Sequence, residues 1–331
     1  MDKPGLGVTF IIQHSSFIIS SMLLCLGTTP TVQQTMIFER LTAEDVNRAV
    51  AVWRNASGKP INVARVLRTI GDEALACVPV GGDTGGFIEG DLDQLGIPRD
   101  CVTISAPTRT CVTVIDRAAG TATELVEESG PMTADESGRM LEKLRVNLPR
   151  SRMVILSGKL APGVPEDFYA ECCRSAGELG IPVILDARGD ALLRALSYRP
   201  LIVKPNRSEL AGTLGMTIDD DASLRRAMIA LQNQGAQWVV ITMGREGAAV
   251  CDGKSFWKIP ALEIKAVSAI GSGDAFAAGL GSVIVAGREV PDACRLAAAC
   301  AAANALLPGA GNLRIEDVRR LEPLVRVERW D

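Results

Sequence analysis

Histidine is the scarcest functional residue in this chain of 331 residues, because His14 is the only one. A single histidine almost excludes a Ser-His-Asp triad, and it excludes a metal site built from several imidazoles. No stretch is dominated by basic residues, and the net charge is −4. This charge pattern argues against nucleic acid as a partner.

Disulfide motifs are also missing. The nine cysteines contain no Cys-x-x-Cys pair, and Cys172 and Cys173 are adjacent in a predicted helix, where they are poorly placed to bond to each other. We expect reduced thiols, most of them small buried apolar residues. This predicts a cytoplasmic protein.

A long unbroken apolar run is missing too. Residues 1–21 are rich in apolar side chains, but polar residues at positions 13–16 interrupt them. The segment therefore fits neither a signal peptide nor a membrane-spanning helix, and we expect no membrane partner. We predict that residues 1–21 are a non-core extension, translated from a start upstream of the real one, and that one domain occupies residues 22–331.

The chain does contain a regular alternation of short apolar runs and helical patterns. Strands that are apolar throughout are typical of a sheet covered on both faces. The rhythm predicts a three-layer α/β fold with a mostly parallel sheet and helices on both faces. The predicted strands are Leu23–Leu26, Ala74–Val80, Met153–Leu156, Val183–Leu185, Leu201–Val203 and Trp238–Thr242. The predicted helices are Val63–Ile70, Thr84–Leu95, Ala134–Leu144, Pro165–Leu179, Ser208–Leu214, Leu224–Gln234, Ala275–Ala286 and Pro291–Leu306.

Two segments, about residues 35–54 and 101–124, break this rhythm. They hold short alternating runs such as Val102–Ile104 and Cys111–Ile115. Alternation with a period of two predicts half-exposed antiparallel strands. We interpret the two segments as a small antiparallel β lid over the main domain.

The stretch Ala269–Leu280, which reads AIGSGDAFAAGL, carries the most chemical information. Gly271, Ser272 and Gly273 precede Asp274 at the start of a predicted helix. The glycines permit a sharp turn, and the helix N-terminus offers unpaired N–H groups to an anion. An aspartate there could take a proton from a hydroxyl that attacks a phosphate, so the stretch indicates phosphoryl transfer. The structural alternative is a tight turn with Asp274 complementing the helix dipole.

Two earlier turns hold further candidates. In SGKPINVA, Gly58 permits a turn, Lys59 could grip a phosphate, and Asn62 could bind sugar hydroxyls or cap the helix. In GGDTG, Asp83 could contact a sugar or cap the next helix. Arg109 beside a lid strand could hold a phosphate through its guanidinium fork, although a solvated arginine is the ordinary reading.

Residues 204–209, which read KPNRSE, join a predicted strand to a helix. Asn206 and Glu209 have the spacing of a capping box, and they could instead order water bound to Mg²⁺. Thr242 and Gly244 end another strand. Ligands of open α/β sheets lie at such strand ends, so this turn is a candidate wall of a nucleotide site.

The order of these motifs resembles that of the ribokinase-like, PfkB-type sugar kinases, from Met22 to about Gly311. AIGSGDAFAAGL is similar to the C-terminal signature of that family, and SGKPINVA with GGDTG is similar to the N-terminal one. The motifs TRTCVTV, LSGKLAPGVPEDFYA, LDARG, KPNRSEL and ITMGREGA follow in the family's order. The lysine of SGKPINVA, the arginine after Pro-Thr and the Asn-Arg-Ala at 47–49 resemble the branch that contains tagatose-6-phosphate kinase and 1-phosphofructokinase.

The resemblance implies a role for each matching residue. Asp274 would be the base, and the backbone N–H groups of Gly271, Ser272 and Gly273 would hold the transferring phosphoryl group. The residues implied to bind the sugar phosphate are Gln33, Gly58, Lys59, Asn62, Asp83 and Arg109. The residues implied to border the nucleotide are Lys204, Asn206, Glu209, Thr242, Gly244, Asn304 and Gly309, with Asn206 and Glu209 reaching Mg²⁺ through water.

The implied reaction is phosphorylation of a phosphorylated ketohexose by ATP with Mg²⁺, on tagatose 6-phosphate or fructose 1-phosphate. The alternatives are a kinase of an unphosphorylated sugar or nucleoside and a catalytically idle sugar- or nucleotide-binding regulator. The branch usually has a carboxylate where Gln33 stands, and Pro60, Ser268 and Ala269 also depart from its pattern. We further expect a homodimer formed through the lid.

Overall fold

The computed structural model describes residues 22–331. The extension predicted for residues 1–21 lies outside the described residues. The strands in chain order are β1 (Met22–Leu26), β2 (Thr31–Phe38), β3 (Ala51–Ser57), β4 (Ala74–Cys77), β5 (Pro79–Val80), β6 (Val102–Thr103), β7 (Thr110–Asp116), β8 (Thr121–Val126), β9 (Ser151–Ser157), β10 (Val183–Asp186), β11 (Ile202–Val203), β12 (Trp238–Thr242), β13 (Ala248–Cys251), β14 (Phe256–Ile259) and β15 (Glu328–Arg329). The helices are α1 (Lys59–Ile70), α2 (Gly82–Gln94), α3 (Ala134–Asn147), α4 (Phe168–Glu178), α5 (Gly189–Ala195), α6 (Arg207–Leu214), α7 (Asp221–Asn233), α8 (Ser272–Val285), α9 (Val290–Ala305) and α10 (Ile315–Leu321).

The main sheet has the order β15-β14-β13-β12-β11-β10-β9-β1-β4. The strands from β12 to β4 are parallel, and β13, β14 and β15 continue the sheet in antiparallel pairs. The predicted α/β class with a mostly parallel sheet is therefore confirmed. The predicted strand over 74–80 divides, because β4 belongs to the main sheet whereas β5 pairs with β6.

The sheet separates two apolar cores. Along β1, Leu23 and Cys25 face the core that also contains α1, α8, α9 and α10. Leu24 and Leu26 face the core formed with α3 to α7. Since successive side chains of a strand point to opposite faces, a strand buried on both faces must be apolar throughout. This arrangement brings the carboxyl ends of the parallel strands to one edge.

A second sheet with the order β3-β2-β7-β8 is the predicted lid. The outer pairs β2–β3 and β7–β8 are antiparallel, and the central strands β2 and β7 run parallel. The lid begins earlier than predicted, at Thr31. The expectation for residues 101–124 was wrong at its start, since Val102–Thr103 pairs with Pro79–Val80 outside the lid.

Among residues 22–331, no helix is long and apolar enough to cross a membrane.

Candidate active site

A cavity of about 330 Å³ lies between the lid and the carboxyl edge of the main sheet. Most of the predicted site residues border it. Its walls are formed by Thr31, Gln33, Ser57, Gly58, Lys59, Asn62, Arg109, Cys111, Glu124, Val126, Asp186, Lys204, Asn206, Glu209, Thr242, Ile270, Gly271, Gly273, Asp274 and Ala310. The structure thus brings together residues that are up to 279 positions apart in the chain, from Thr31 to Ala310.

The glycine turn before α8 forms one wall. Gly271 caps the helix with a φ of 82°, a left-handed conformation that favours glycine. A Cβ at this position would lie 2.6 Å from Cα of Ala310 and 2.8 Å from the backbone nitrogen of Gly311. Glycine is therefore required at position 271 by both conformation and space. Its turn aims the N-terminus of α8 at the cavity, as an anion site needs.

The structure gives Ser272 another role than the predicted one of holding the phosphoryl group. Its backbone N–H donates to the carbonyl of Ala269 at 3.1 Å, and its hydroxyl donates to the carbonyl of Ala301 at 3.1 Å. Ser272 does not line the cavity, whereas Gly271 and Gly273 do. Ser272 therefore fixes the turn instead of presenting its own N–H to a ligand.

Asp274 lies in the first turn of α8 and is only 6% exposed. One oxygen, Oδ2, accepts a hydrogen bond of 2.8 Å from Nδ2 of Asn62, whose Oδ1 in turn accepts from the hydroxyl of Ser57 at 2.9 Å. Burial raises the pKa of Asp274 to about 6, against the opposing effects of Lys59, Asn62 and Lys204. A carboxylate with a pKa near the working pH is suited to accept a proton.

Asp186 is the centre of a buried ion-pair network that the sequence analysis missed. It is 1% exposed, and its two oxygens lie 3.0 Å from Nζ of Lys59 and 3.1 Å from Nζ of Lys204. Burial would raise the pKa of Asp186, but Lys204 and Lys59 hold it below the ordinary value. The motif LDARG contained this residue, and its position at the end of the buried strand β10 was the available signal.

Lys59 and Lys204 both line the cavity near the α8 turn. Nζ of Lys204 would lie 3.5 Å from a Cβ placed on Gly273, so its charge borders the glycine turn. Lys59 also reaches Glu209 at 3.5 Å. Burial alone would lower the pKa of Lys59, but Asp186, Glu209 and Asp274 raise it above the ordinary value. Lys59 therefore stays protonated beside the base.

Asn206 and Glu209 form the capping box that their spacing predicted. The side chain of Asn206 accepts from the N–H of Glu209 at 2.8 Å, and Glu209 accepts from the N–H of Asn206 at 2.9 Å. Both residues also border the cavity. The two interpretations offered for this pair are thus compatible, because the cap fixes the Glu209 carboxylate beside Lys59.

Arg109 and Gln33 occupy the lid side of the cavity. The guanidinium of Arg109 donates to the backbone carbonyls of Thr29, Pro30 and Glu127 at 3.1, 3.4 and 3.1 Å. Its position is therefore fixed by the protein before a ligand arrives. Gln33 is 2% exposed and donates from Nε2 to the hydroxyl of Thr113 at 2.9 Å.

Besides Ser272, four predicted site residues are not on the cavity wall. Asp83 is exposed in the first turn of α2, and Gly244 and Gly309 lie in turns outside this cavity. Asn304 is completely buried, so it cannot contact a nucleotide directly. Its amide donates to the carbonyl of Ile270 at 2.9 Å and accepts from the N–H of Gly311 at 2.8 Å. Asn304 therefore ties the glycine turn to the loop that packs against it.

The comparison with known families decides what kind of protein has this geometry. The family model described as pfkB family carbohydrate kinase matches residues 20–317. The chain belongs to the PfkB family of carbohydrate kinases. This PfkB protein is accordingly a sugar kinase, and membership of a kinase family implies that it uses ATP.

Solved structures agree with this assignment. Phosphofructokinase-2 from Escherichia coli, crystallised with potassium, is 25% identical with a TM-score of 0.83, and the match covers 93% of this chain and 99% of that one. A Thermotoga maritima protein described as a possible 1-phosphofructokinase is 23% identical with a TM-score of 0.85, covering 94% and 100%. Ribokinase from Arabidopsis thaliana, complexed with ribose and ATP, is 21% identical with a TM-score of 0.71, covering 92% and 99%. The last two show the shared ribokinase-like fold of the PfkB protein.

Proposed function

We propose that this PfkB kinase transfers a phosphoryl group from ATP to a phosphorylated ketohexose and produces a bisphosphate. Tagatose 6-phosphate is the first candidate substrate, and fructose 1-phosphate is the second. The observation that carries this proposal is that one cavity is lined by cationic groups both from the main domain and from the lid. The α8 turn with Lys204 lies on one wall, and Arg109 lies on the lid wall. A sugar that already carries a phosphate needs an anion site apart from the transfer site.

The transfer step follows from the surroundings of Asp274. Its carboxylate takes the proton from the attacking sugar hydroxyl, while Asn62 keeps the carboxylate oriented. Backbone N–H groups of Gly271 and Gly273, together with Lys204, stabilise the charge on the transferring group. Since little covalent chemistry is required of the protein, most of the rate enhancement comes from positioning and electrostatics.

The nucleotide side is formed by Thr242, Asn206 and Glu209. Mg²⁺ keeps several of its waters and binds mainly through nucleotide phosphates and one or two carboxylates, and Glu209 supplies a carboxylate on this side of the cavity. Glu209 would contact its water, and Mg²⁺ would neutralise phosphate charge when bound.

The test of the proposal is a substrate panel with ATP and Mg²⁺ in which ADP formation is measured. Tagatose 6-phosphate, fructose 1-phosphate and fructose 6-phosphate are compared with unphosphorylated tagatose, fructose and ribose. We expect kcat/KM to be at least about 100-fold higher for the best phosphorylated ketohexose, since a charge-assisted phosphate clamp contributes about 3 kcal/mol. Equal or greater kcat/KM for a free sugar would contradict the proposal.

One observation favours the second candidate, a kinase of an unphosphorylated sugar or nucleoside. Lys59 is paired with both Asp186 and Glu209, so its charge is already matched by carboxylates. In that case Lys59 would orient the base and not hold a sugar phosphate. The same panel separates the two candidates, and a nucleoside such as adenosine is added for this purpose. An idle regulator would show no sugar-dependent ATP turnover at all.

We also propose that the kinase forms a homodimer through the outer face of the lid. Val52 and Leu125 are 52% and 56% exposed there. Strand pairing puts Val52 in register with Met36 and Val114, so the apolar surface continues across the lid. A crystal structure of the neighbour phosphofructokinase-2 from Escherichia coli is of a tetrameric inhibited form, which supports self-association in this fold.

A further inference from the structure

The cavity face of the lid carries a polar row that includes a carboxylate. Thr35 of β2 pairs with Thr113 of β7, and Thr113 pairs with Glu124 of β8. Paired residues of neighbouring strands point to the same face of a sheet. Gln33 shares this face because it lies two residues from Thr35 on β2. Gln33, Thr113 and Glu124 therefore follow one another across the lid.

The amide of Gln33 already forms a hydrogen bond within this polar row. Its amide Nε2 donates to the hydroxyl of Thr113 at 2.9 Å, and the residue is 2% exposed. An amide offers neutral hydrogen bonds, which are weaker than those of a carboxylate. The sugar hydroxyls near the lid consequently need another group for a charge-assisted bond.

Glu124 has the required place and chemistry. It lines the cavity together with Val126, its neighbour on the same face of β8. The described lid residues that line this cavity include Thr31, Gln33, Arg109, Cys111, Glu124 and Val126, and Glu124 alone among them carries a carboxylate. Burial raises the pKa of Glu124, and the charge of Arg109 partly offsets this effect. The Glu124 side chain is solvent-exposed at the mouth of this cavity, and its charge interacts with that of Arg109.

We infer that Glu124 is a specificity-determining residue whose carboxylate binds sugar hydroxyls beside the Arg109 phosphate clamp. This inference rests on the proposed function, because it concerns the same sugar phosphate. It assigns to β8 the carboxylate that position 33 lacks. The ligand chemistry is a polyhydroxylated sugar phosphate, with its phosphate on Arg109 and an adjacent hydroxyl on Glu124.

The experiment compares the wild type with Glu124→Gln and with Glu44→Gln as a matched control. Glu44 is exposed in the loop between β2 and β3 and does not border the cavity. We expect Glu124→Gln to raise the KM for the best sugar phosphate by about 10-fold to 100-fold, since bonds to a charged group contribute on the order of 1.5–3 kcal/mol. The kcat value, the KM for ATP and the binding of inorganic phosphate alone should change less than about threefold. Glu44→Gln should match the wild type.

Deoxy analogues of the sugar phosphate identify the bonded hydroxyl. The wild type should lose affinity for the analogue that lacks it, whereas Glu124→Gln should no longer distinguish this analogue from the parent sugar. An unchanged sugar KM in Glu124→Gln would overturn the inference. Equal weakening of inorganic phosphate would also overturn it, because Glu124 would then act only by positioning Arg109. Failure of the proposed function is distinguishable, because the wild type itself would then phosphorylate no sugar phosphate.

Discussion

Asp274 has a pKa that results from opposing influences on one carboxylate. Burial and the charge of Asp186 raise the pKa, whereas Lys59, Lys204 and the hydrogen bond from Asn62 lower it. The net value of about 6 leaves the base mostly ionised at neutral pH. Because the ionised form accepts the proton, kcat/KM should fall as the pH drops below about 6.

Substitution of Asn62 tests this balance. In Asn62→Ala the hydrogen bond that favours the ionised carboxylate is lost, so the pKa of Asp274 should rise. The acid limb of the kcat/KM profile should then move to higher pH by about one unit, as expected for a bond of 1–2 kcal/mol. Ser57→Ala keeps the Asn62 amide in place and should shift the limb less. An acid limb that stays at the wild-type pH in Asn62→Ala would refute the role of this hydrogen bond.

Substitution of Arg109 tests the phosphate clamp. Arg109→Ala should raise KM for phosphorylated sugars by about 10-fold or more, because a charge-assisted contact is removed. Unphosphorylated sugars should be affected little. Arg109→Lys is the matched control, since it keeps the charge without the guanidinium fork. Equal loss for both classes of sugar would show that Arg109 only supports the lid through the carbonyls of Thr29, Pro30 and Glu127.

At the scale of single residues, the sequence predicted the features that are formed by residues close together in the chain. The glycine turn and the Asn206–Glu209 capping box could be recognised because the residues that form each of them lie within a few positions. The partner of Asp274, Asn62, is 212 positions away, and only the fold brings the two together. Asp186 could not be placed, since Lys59 and Lys204, which pair with it, are 127 and 18 positions away. Asn304 was predicted to border the nucleotide, and only the fold shows that its amide is used within the protein.

At the level of elements, α8 and α9 are packed unusually closely. A Cβ on Gly279 of α8 would lie 2.6 Å from Cα of Ala297 on α9. Gly279→Ala should therefore lower the free energy of unfolding by roughly 1–3 kcal/mol, as overpacked cores do. Because α8 begins at the glycine turn, a displaced helix should also lower activity. Urea denaturation and turnover measure the two effects.

Gly138→Ala is the matched control for this substitution. Gly138 lies inside α3, and a Cβ there would have no atom within 4 Å. This variant should gain about 0.5–1 kcal/mol, because alanine favours the helix more than glycine does. Similar stability changes in Gly138→Ala and Gly279→Ala would contradict the close approach of the two helices.

The parallel strands of the main sheet were predictable because each is buried and largely apolar, whereas the antiparallel strands β13, β14 and β15 were not among the predicted strands. Helix boundaries and short helices were predicted less accurately, because a few residues carry little periodic pattern. The predicted helix from Pro165 begins at Phe168, and α5 and α10, each of seven residues, were not predicted. The pairing of Val102–Thr103 with β5 depends on tertiary contacts, so an alternating pattern alone assigned it to the lid.

At the scale of the whole molecule, residues 22–331 form one apolar core on each face of the main sheet, and the lid lies over one edge. The proposed homodimer is tested by the double variant Val52→Glu and Leu125→Glu. Two carboxylates on the apolar outer face should dissociate the dimer, because burying unpaired charges costs several kcal/mol. Sedimentation velocity should show a dimer for the wild type and a monomer for the variant. Val146→Glu on α3, where Val146 is 66% exposed, should remain a dimer. A monomeric wild type would contradict the proposal.

The central claim is that Asp274 is the base of a sugar-phosphate kinase. It is tested most directly by measuring ADP formation with a ketohexose phosphate in the wild type and in Asp274→Asn. We predict that the wild type turns over only when the sugar phosphate is present. The variant should lose at least about 100-fold in kcat with little change in sugar affinity, because the amide cannot accept the proton. Near-normal turnover in Asp274→Asn would contradict the claim.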